Sequence, residues 1–203
     1  MDENIIDPAR TGLLIVDLSN DFLHARGAYA RGGQTSADIA ALPQRMLPVA
    51  NALRDKGGWI ISAQFTLVPG KDGEPFISPH LKGLRPFLDK GDFAPNSWGN
   101  SLVDELQPAD LIVEKVAYSA FYMTRLEWLL RKAGIDTLLV CGIVTNGGVA
   151  SSVRDAHVRD IRTLVLSDGC AAFSSEVHQH SIHDLSTIAK TISCVEAEAL
   201  ISG

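Results

Sequence analysis

The sequence predicts a three-layer α/β fold, αβα, with a central six-stranded parallel sheet. Three observations predict it. Short apolar runs recur along the chain, and their continuity suits strands covered on both faces rather than strands with one wet face. Helical segments separate these runs from about residue 36 onward, which is the order of βα units. Glycines close several of the helices, as at Gly57-Gly58 and Gly134.

The elements follow in order. Thr11 to Asp17 is an apolar run that ends in an acid, a buried first strand. Residues 36 to 55 carry Ile39, Leu42, Met46, Leu47, Ala50 and Leu53 at helical spacing. Trp59 to Gln64 is a second strand. Residues 65 to 100 have no clean periodicity and contain Pro69, Pro75, Pro79, Pro86 and Pro95, and a connection of that length in a compact domain is usually functional. Leu111 to Lys115 is a third strand, followed by a helix over 124–132. Thr137 to Gly142 is a fourth strand and 146–158 its helix. Arg162 to Ser167 is a fifth strand, 176–189 a helix, and Thr191 to Val195 a short sixth strand. No linker or internal repeat interrupts this order, so 1–203 is read as one domain.

Composition supports a packed core. Of 203 residues, 46% are hydrophobic and 21% charged, far from the disordered class. The net charge of −6 with no Lys/Arg run speaks against a nucleic-acid partner, because no basic face would answer the phosphates. No apolar stretch approaches the ~20 residues a membrane helix needs. Met1 to Asn4 is acidic with no apolar run behind it, so no leader is read and a cytoplasmic location is expected. Cys141, Cys170 and Cys194 are three in number with no CxxC, which fits a reducing compartment and neither a disulfide framework nor a zinc site.

In open parallel sheets, ligands bind beyond the carboxyl ends of the strands. That rule selects Asp17, Gln64, Lys115 and the segment Ile143 to Gly148, all expected to meet at one pocket. A carboxylate after four apolar residues is partly desolvated, which raises its pKa, and a nearby lysine lowers it again. Such a pair serves acid–base catalysis or is a structural ion pair, and spacing leaves both open. Gly147-Gly148 opens a helix, where free amides can receive an anion or a carbonyl oxygen, or where glycine merely permits a tight turn. His178, His180 and His183 have helical spacing but no acidic partner, so they are read as solvated, with no metal and no cofactor. His24 and His80 are loop residues near the mouth. Cys141 and Cys194, placed within strands, and Cys170 in a loop are read as small core or structural residues. Trp128, Leu129 and Leu130 are read as core.

Four ordered segments carry a family resemblance. Leu14-Ile15-Val16-Asp17-Leu18-Ser19-Asn20-Asp21-Phe22 is similar to a "hydrophobic-D-x-x-N-D-F" opening, and Lys115-Val116-Ala117-Tyr118-Ser119-Ala120-Phe121 to a "K-x-x-x-S-A-F" stretch. Gly142-Ile143-Val144-Thr145-Asn146-Gly147-Gly148-Val149, with Ser152 to Ala156, is similar to "G-hydrophobic-x-T-N-x-C-V-x-x-T-x-x-D-A". Asp168-Gly169-Cys170-Ala171-Ala172-Phe173 is similar to "D-A-x-A-x-F". Together the chain resembles the isochorismatase-like, or cysteine hydrolase, superfamily.

The resemblance implies a catalytic triad of acid, lysine and cysteine. It places Asp17 and Lys115 in the first two positions and Gly148 in the cysteine position. It also implies a non-proline cis peptide before Val144, and homo-oligomers such as dimers or tetramers. Without a thiolate the acyl-enzyme route is closed. One branch of the family works without that cysteine, hydrolysing vinyl ethers, and it resembles this chain in a glutamine and a tryptophan matching Gln64 and Trp98. The expected reaction is therefore cysteine-independent hydrolysis of a small carboxylated metabolite. In it Asp17 is the general acid, Lys115 and Gln64 hold the substrate, and the Gly148 amide takes a substrate oxygen, with Val144 and Gly147 beside it. Phe65, Trp98 and Tyr118 form an apolar wall. The alternatives are an amide or ureido (C–N) hydrolase in which Gly148 replaces the nucleophile, and a ligand-binding homologue without turnover.

Overall fold

In the computed structural model, which describes residues 6–203, six strands form one sheet: β1 (Thr11–Val16), β2 (Trp59–Phe65), β3 (Leu111–Lys115), β4 (Thr137–Ile143), β5 (Arg162–Ala171) and β6 (Lys190–Ile192). The acidic segment Met1 to Asn4 lies outside the described residues. The spatial order is β3-β2-β1-β4-β5-β6, and every neighbouring pair is parallel. This is the expected three-layer architecture. The longer helices are α1 (Leu42–Asp55), α2 (Leu126–Ala133), α3 (Ala150–His157), α4 (Ser175–Leu185) and α5 (Cys194–Ser202).

Strand alternation distributes the core. In β1, Leu13 and Ile15 point to a cluster with Met46, Val49 and Leu53 of α1 and Ala197 and Ile201 of α5. Leu14 and Val16 point the other way, to Leu126 and Leu130 of α2 and Val153 and Ala156 of α3. Buried on both faces, β1 has no exposed residue, which explains its unbroken apolar run. Chain order reverses between β1 and β4, the central neighbours, and the crevice beyond their carboxyl ends is the place such a sheet offers to a ligand.

Several boundaries differ from the expected ones, each for a local reason. The sixth strand is only Lys190–Ile192, and α5 begins at Cys194. Ser193 and Glu196 form a capping box, each side chain accepting from the other's backbone N–H, so Cys194 sits at a helix start rather than in a strand. The helix after β4 begins at Ala150, because Thr145–Val149 winds a wider π turn first. The fifth strand continues to Ala171 through a register irregularity against Val140 and Gly142. In α2, Leu126 and Leu130 are buried one turn apart, so Trp128 faces outward and is 55% exposed. The reading of Trp128 as core is corrected, while Leu130 is core and Leu129 packs against it.

The long stretch from 65 to 100 is not a loose loop. It contains a short helix, Pro79–Leu84, and a small core of its own, in which Leu67, Leu88 and Phe93 pack with Ala28 and Tyr29. Buried polar groups staple it down. The Asp21 carboxylate accepts the Ala28 amide at 3.1 Å and the Phe93 amide at 2.7 Å. Asn20 Nδ2 donates to the Trp98 carbonyl at 2.8 Å, and Asn100 Nδ2 to the Phe65 carbonyl at 2.7 Å. Each satisfies a backbone group that burial would otherwise leave unpaired. No helix among the described residues is long and apolar enough to cross a membrane.

Gly142 is the tightest point of the sheet. Its φ is +117°, and a β-carbon there would stand 2.0 Å from the Val16 carbonyl oxygen. Gly142→Ala is expected to cost at least about 3 kcal/mol, through backbone strain and forced separation of β1 from β4. Urea unfolding measures it, and a loss below about 1 kcal/mol would contradict this reading.

Candidate active site

Asp17 is the first residue beyond β1. Its φ of +60° turns the chain out of the strand, while its amide still donates to the Ala63 carbonyl at 2.9 Å. Oδ1 accepts the Phe65 amide at 2.9 Å, and Oδ2 lies 2.7 Å from Lys115 Nζ. Phe65 and Lys115 are register partners at the ends of β2 and β3, so both side chains rise on the same face. The lysine is 1% exposed and the aspartate 8%. Lys115 Nζ also donates to the Ala117 carbonyl at 3.1 Å and lies 5.6 Å from the Phe65 ring centre. Burial pushes the Asp17 carboxyl above the usual carboxylate range, and the charge and hydrogen bond of Lys115, then the Phe65 amide, pull against it.

The pair forms the floor of a cavity of about 310 Å³, at the small end for ligand sites. Gly148, Val144, Phe65 and Tyr118 line it, as expected, and Ile143–Val144 is a cis peptide bond. A β-carbon built on Gly148 would stand 3.1 Å from Asp17 Oδ2 and 3.0 Å from both Val16 Cγ1 and the Ile143 carbonyl oxygen. The bare α-carbon therefore faces the acid directly. Phe22, Tyr29, Leu81, Leu88 and Phe173 add apolar surface, and His80 and Arg85 come from the 65–100 stretch.

Three expected site residues stand elsewhere. Gln64 alternates with Phe65 and so points through the opposite face of the sheet, where its Nε2 donates to Ser62 Oγ at 3.1 Å. It lines a separate depression with Asn100 and Glu114. Trp98 is absent from the cavity wall. It is 45% exposed, with the His24 ring edge-on at 4.9 Å and the Arg26 guanidinium over its face. Gly147 spends its amide on the Val144 carbonyl at 2.9 Å, beside the Val149 amide that closes the π turn on the same carbonyl at 3.3 Å, which leaves the Gly147 N–H unavailable to a ligand.

Of the three α4 histidines read as solvated, His178 is corrected. His178 is half-buried, and its Nδ1 lies 2.8 Å from Thr145 Oγ1, bracing the turn that carries Gly148. Burial lowers its pKa, which keeps the ring neutral. His180 and His183 are exposed. Among the described residues, no cluster of His, Cys, Asp or Glu is arranged to hold a metal ion. All three cysteines are buried. Burial drives the Cys141 thiol well up and the Cys170 thiol to about 12, and raises Cys194 as well, so none offers a thiolate at neutral pH. Tyr29, Leu81, Arg85 and Leu88 are among the wall residues that sequence reasoning missed. They come from segments without periodicity, and only tertiary packing gathers them.

Residues 11–197 match the isochorismatase domain family. A ureidoacrylate amidohydrolase RutB from Methylobacterium radiotolerans is 31% identical over 204 residues, covering 95% of this chain and 79% of the relative. The same-named protein of Acinetobacter baylyi is 30% identical over 194 residues, covering 89% and 78%. Among solved structures, a cysteine hydrolase from Pseudomonas syringae pv. phaseolicola superposes with a TM-score of 0.82 at 25% identity, over 97% of this chain and 94% of that one. An N-carbamoylsarcosine amidase from Thermoplasma acidophilum shares the fold with a TM-score of 0.70 at 23% identity, over 91% and 96%.

Removing one partner of a buried ion pair strands the other charge. Asp17→Asn leaves the buried Lys115 without its counter-charge, and a loss of about 3–5 kcal/mol in urea unfolding at neutral pH is expected. The double variant Asp17→Asn/Lys115→Met should recover most of that loss. Equal stability of the single variant and the parent would show that water already solvates the lysine.

Proposed function

The chain belongs to the isochorismatase domain family and is a hydrolase, and on that premise we propose that it cleaves C–N bonds in small amides or ureides without a covalent acyl-enzyme. The vinyl-ether reading rested on Gln64 and Trp98 beside the acid, and both stand outside the cavity. Relatives named as amidohydrolases across most of the chain support the C–N alternative instead.

One observation carries the mechanism. The bare α-carbon of Gly148 faces Asp17 Oδ2, with the built β-carbon only 3.1 Å from it. The resemblance puts a cysteine at that position, so the acid that would activate a thiol has none to act on. In its place Asp17 takes a proton from a water, which attacks the carbonyl carbon of the scissile bond. The C–N bond then breaks as the protonated carboxyl returns its proton to the leaving nitrogen. A carboxylate has room for this, since two protein donors leave half its lone-pair positions free. Its raised pKa makes it a stronger base. Lys115 holds Oδ2 in place and balances the charge, and the apolar wall limits competing solvent.

The pH dependence separates the two reactions by sign. A general base works only when ionised, so kcat/KM falls as pH drops through the raised Asp17 pKa. A general acid would show the opposite limb, with activity rising as pH drops. Ammonia release from a panel of amides and ureides provides the assay, with pyruvate release from isochorismate as the vinyl-ether control. Asp17→Asn should lower kcat by about 10²–10⁴-fold. Gly148→Cys should add burst kinetics from an acyl-enzyme, provided Asp17 yields a few tenths of an ångström. Pyruvate release without any ammonia release would overturn the proposal.

A further inference from the structure

The cavity carries an unbalanced positive charge. Asp17 is the one acid along its wall, and it is matched by Lys115 at 2.7 Å. Arg85 lines the same cavity and has no carboxylate partner among the described residues. Five other arginines, Arg10, Arg31, Arg131, Arg154 and Arg159, each reach an acid. The Arg85 guanidinium is instead fixed by neutral groups. Its Nε donates to the Tyr29 hydroxyl at 3.2 Å and its Nη1 to the Leu84 carbonyl at 2.9 Å. No acceptor for Nη2 occurs among the described residues.

Tyr29 is itself held firmly. It is 8% exposed, and its ring lies 5.8 Å from that of Phe173 in a stacked arrangement and edge-on to Phe87. Its oxygen accepts from Arg85, so its own O–H proton is free to be donated. Burial raises the Tyr29 pKa, which keeps that proton on. An ordered guanidinium nitrogen and a phenol therefore stand at the wall of a small apolar cavity. Guanidinium and O–H donors together match a carboxylate, whose two oxygens accept one bond from each.

We infer that Arg85 and Tyr29 form the subsite that binds a substrate carboxylate, so that the substrate class is an anionic ureide or amide with its acid group at Arg85 and its C–N bond over Gly148. This rests on the hydrolase reading of the same cavity. It adds a specificity determinant drawn from the 65–100 stretch, apart from the reacting groups at the floor. A ligand lacking the acid would bury against an unanswered arginine, which is how charge enforces specificity.

The test is binding of two probes that share the ureide and differ at the far end, charged 3-ureidopropanoate and its neutral amide 3-ureidopropanamide, by calorimetry on the full chain. The parent should bind the anion about tenfold more tightly than the amide. Arg85→Gln should abolish that preference by weakening the anion alone, and Arg85→Lys should keep part of it. Tyr29→Phe should weaken the anion by a smaller factor, and melting curves show whether each variant is folded. Equal binding of both probes by the parent, an unchanged preference in Arg85→Gln, or no binding of the anion at millimolar concentration would each overturn the inference. Ammonia release read in parallel separates the two readings. A charge preference that depends on Arg85 but yields no ammonia sinks the hydrolase proposal and leaves the subsite. Ammonia from both probes at equal rates, whatever stands at 85, does the reverse.

Discussion

The site depends on one ion pair, Lys115 to Asp17, sealed beneath the cavity at 2.7 Å. Taking both charges out of water costs several kcal/mol per ion, and the pair stands only because each partner is further satisfied. Asp17 has the Phe65 amide and Lys115 the Ala117 carbonyl and the Phe65 ring. These contacts bind the ends of β1, β2 and β3 into one unit. Asp17 is also the turning point of the chain, so the geometry that strands the carboxylate in an apolar place is the geometry that aims it. A pair of this kind adds little to stability over apolar residues of equal size. Its value lies in holding an acid at a raised pKa in a fixed position.

Around that pair the fold works as two materials. The sheet and its helices are packed on both faces, and they set the floor through strand ends alone. Part of the wall is made by the 65–100 stretch, whose small core and buried polar staples give a loop the order of an element. Asp21 shows the principle. Burial raises its pKa, yet its two oxygens each take a backbone amide from a different segment. The "N-D-F" at 20–22 is thus structural cement beside the buried Asp17, with Phe22 turned into the cavity.

Much of this was legible in the sequence. The apolar runs fixed six strands, and the rule of strand ends selected Asp17, Lys115 and the turn at Gly148 before any resemblance was used. The same rule selected Gln64 wrongly, although strand alternation puts it on the opposite face from Phe65 and Lys115. The helix α5 was announced by Ser193 and Glu196 at capping-box spacing, but the apolar Thr191 to Val195 read as a strand. Trp98, Tyr29 and Arg85 were not legible in the same way. Their neighbours come from distant segments with no shared period, and only the folded loop decides which of them reach the cavity. The brace between His178 and Thr145 is of that kind as well, since a histidine on a surface helix gives no local sign of its partner.

The absence of a side chain at Gly148 has a consequence beyond the reaction path. Thiolate enzymes carry their weakness with their power, because an exposed low-pKa sulfur is what peroxide, alkylating agents and mixed disulfides attack first. Here the thiols are Cys141, Cys170 and Cys194, each buried and each held in the unreactive protonated form. A cavity whose polar floor is a carboxylate and an ammonium gives an oxidant nothing to convert. The floor of the site therefore presents no thiol for such agents to modify.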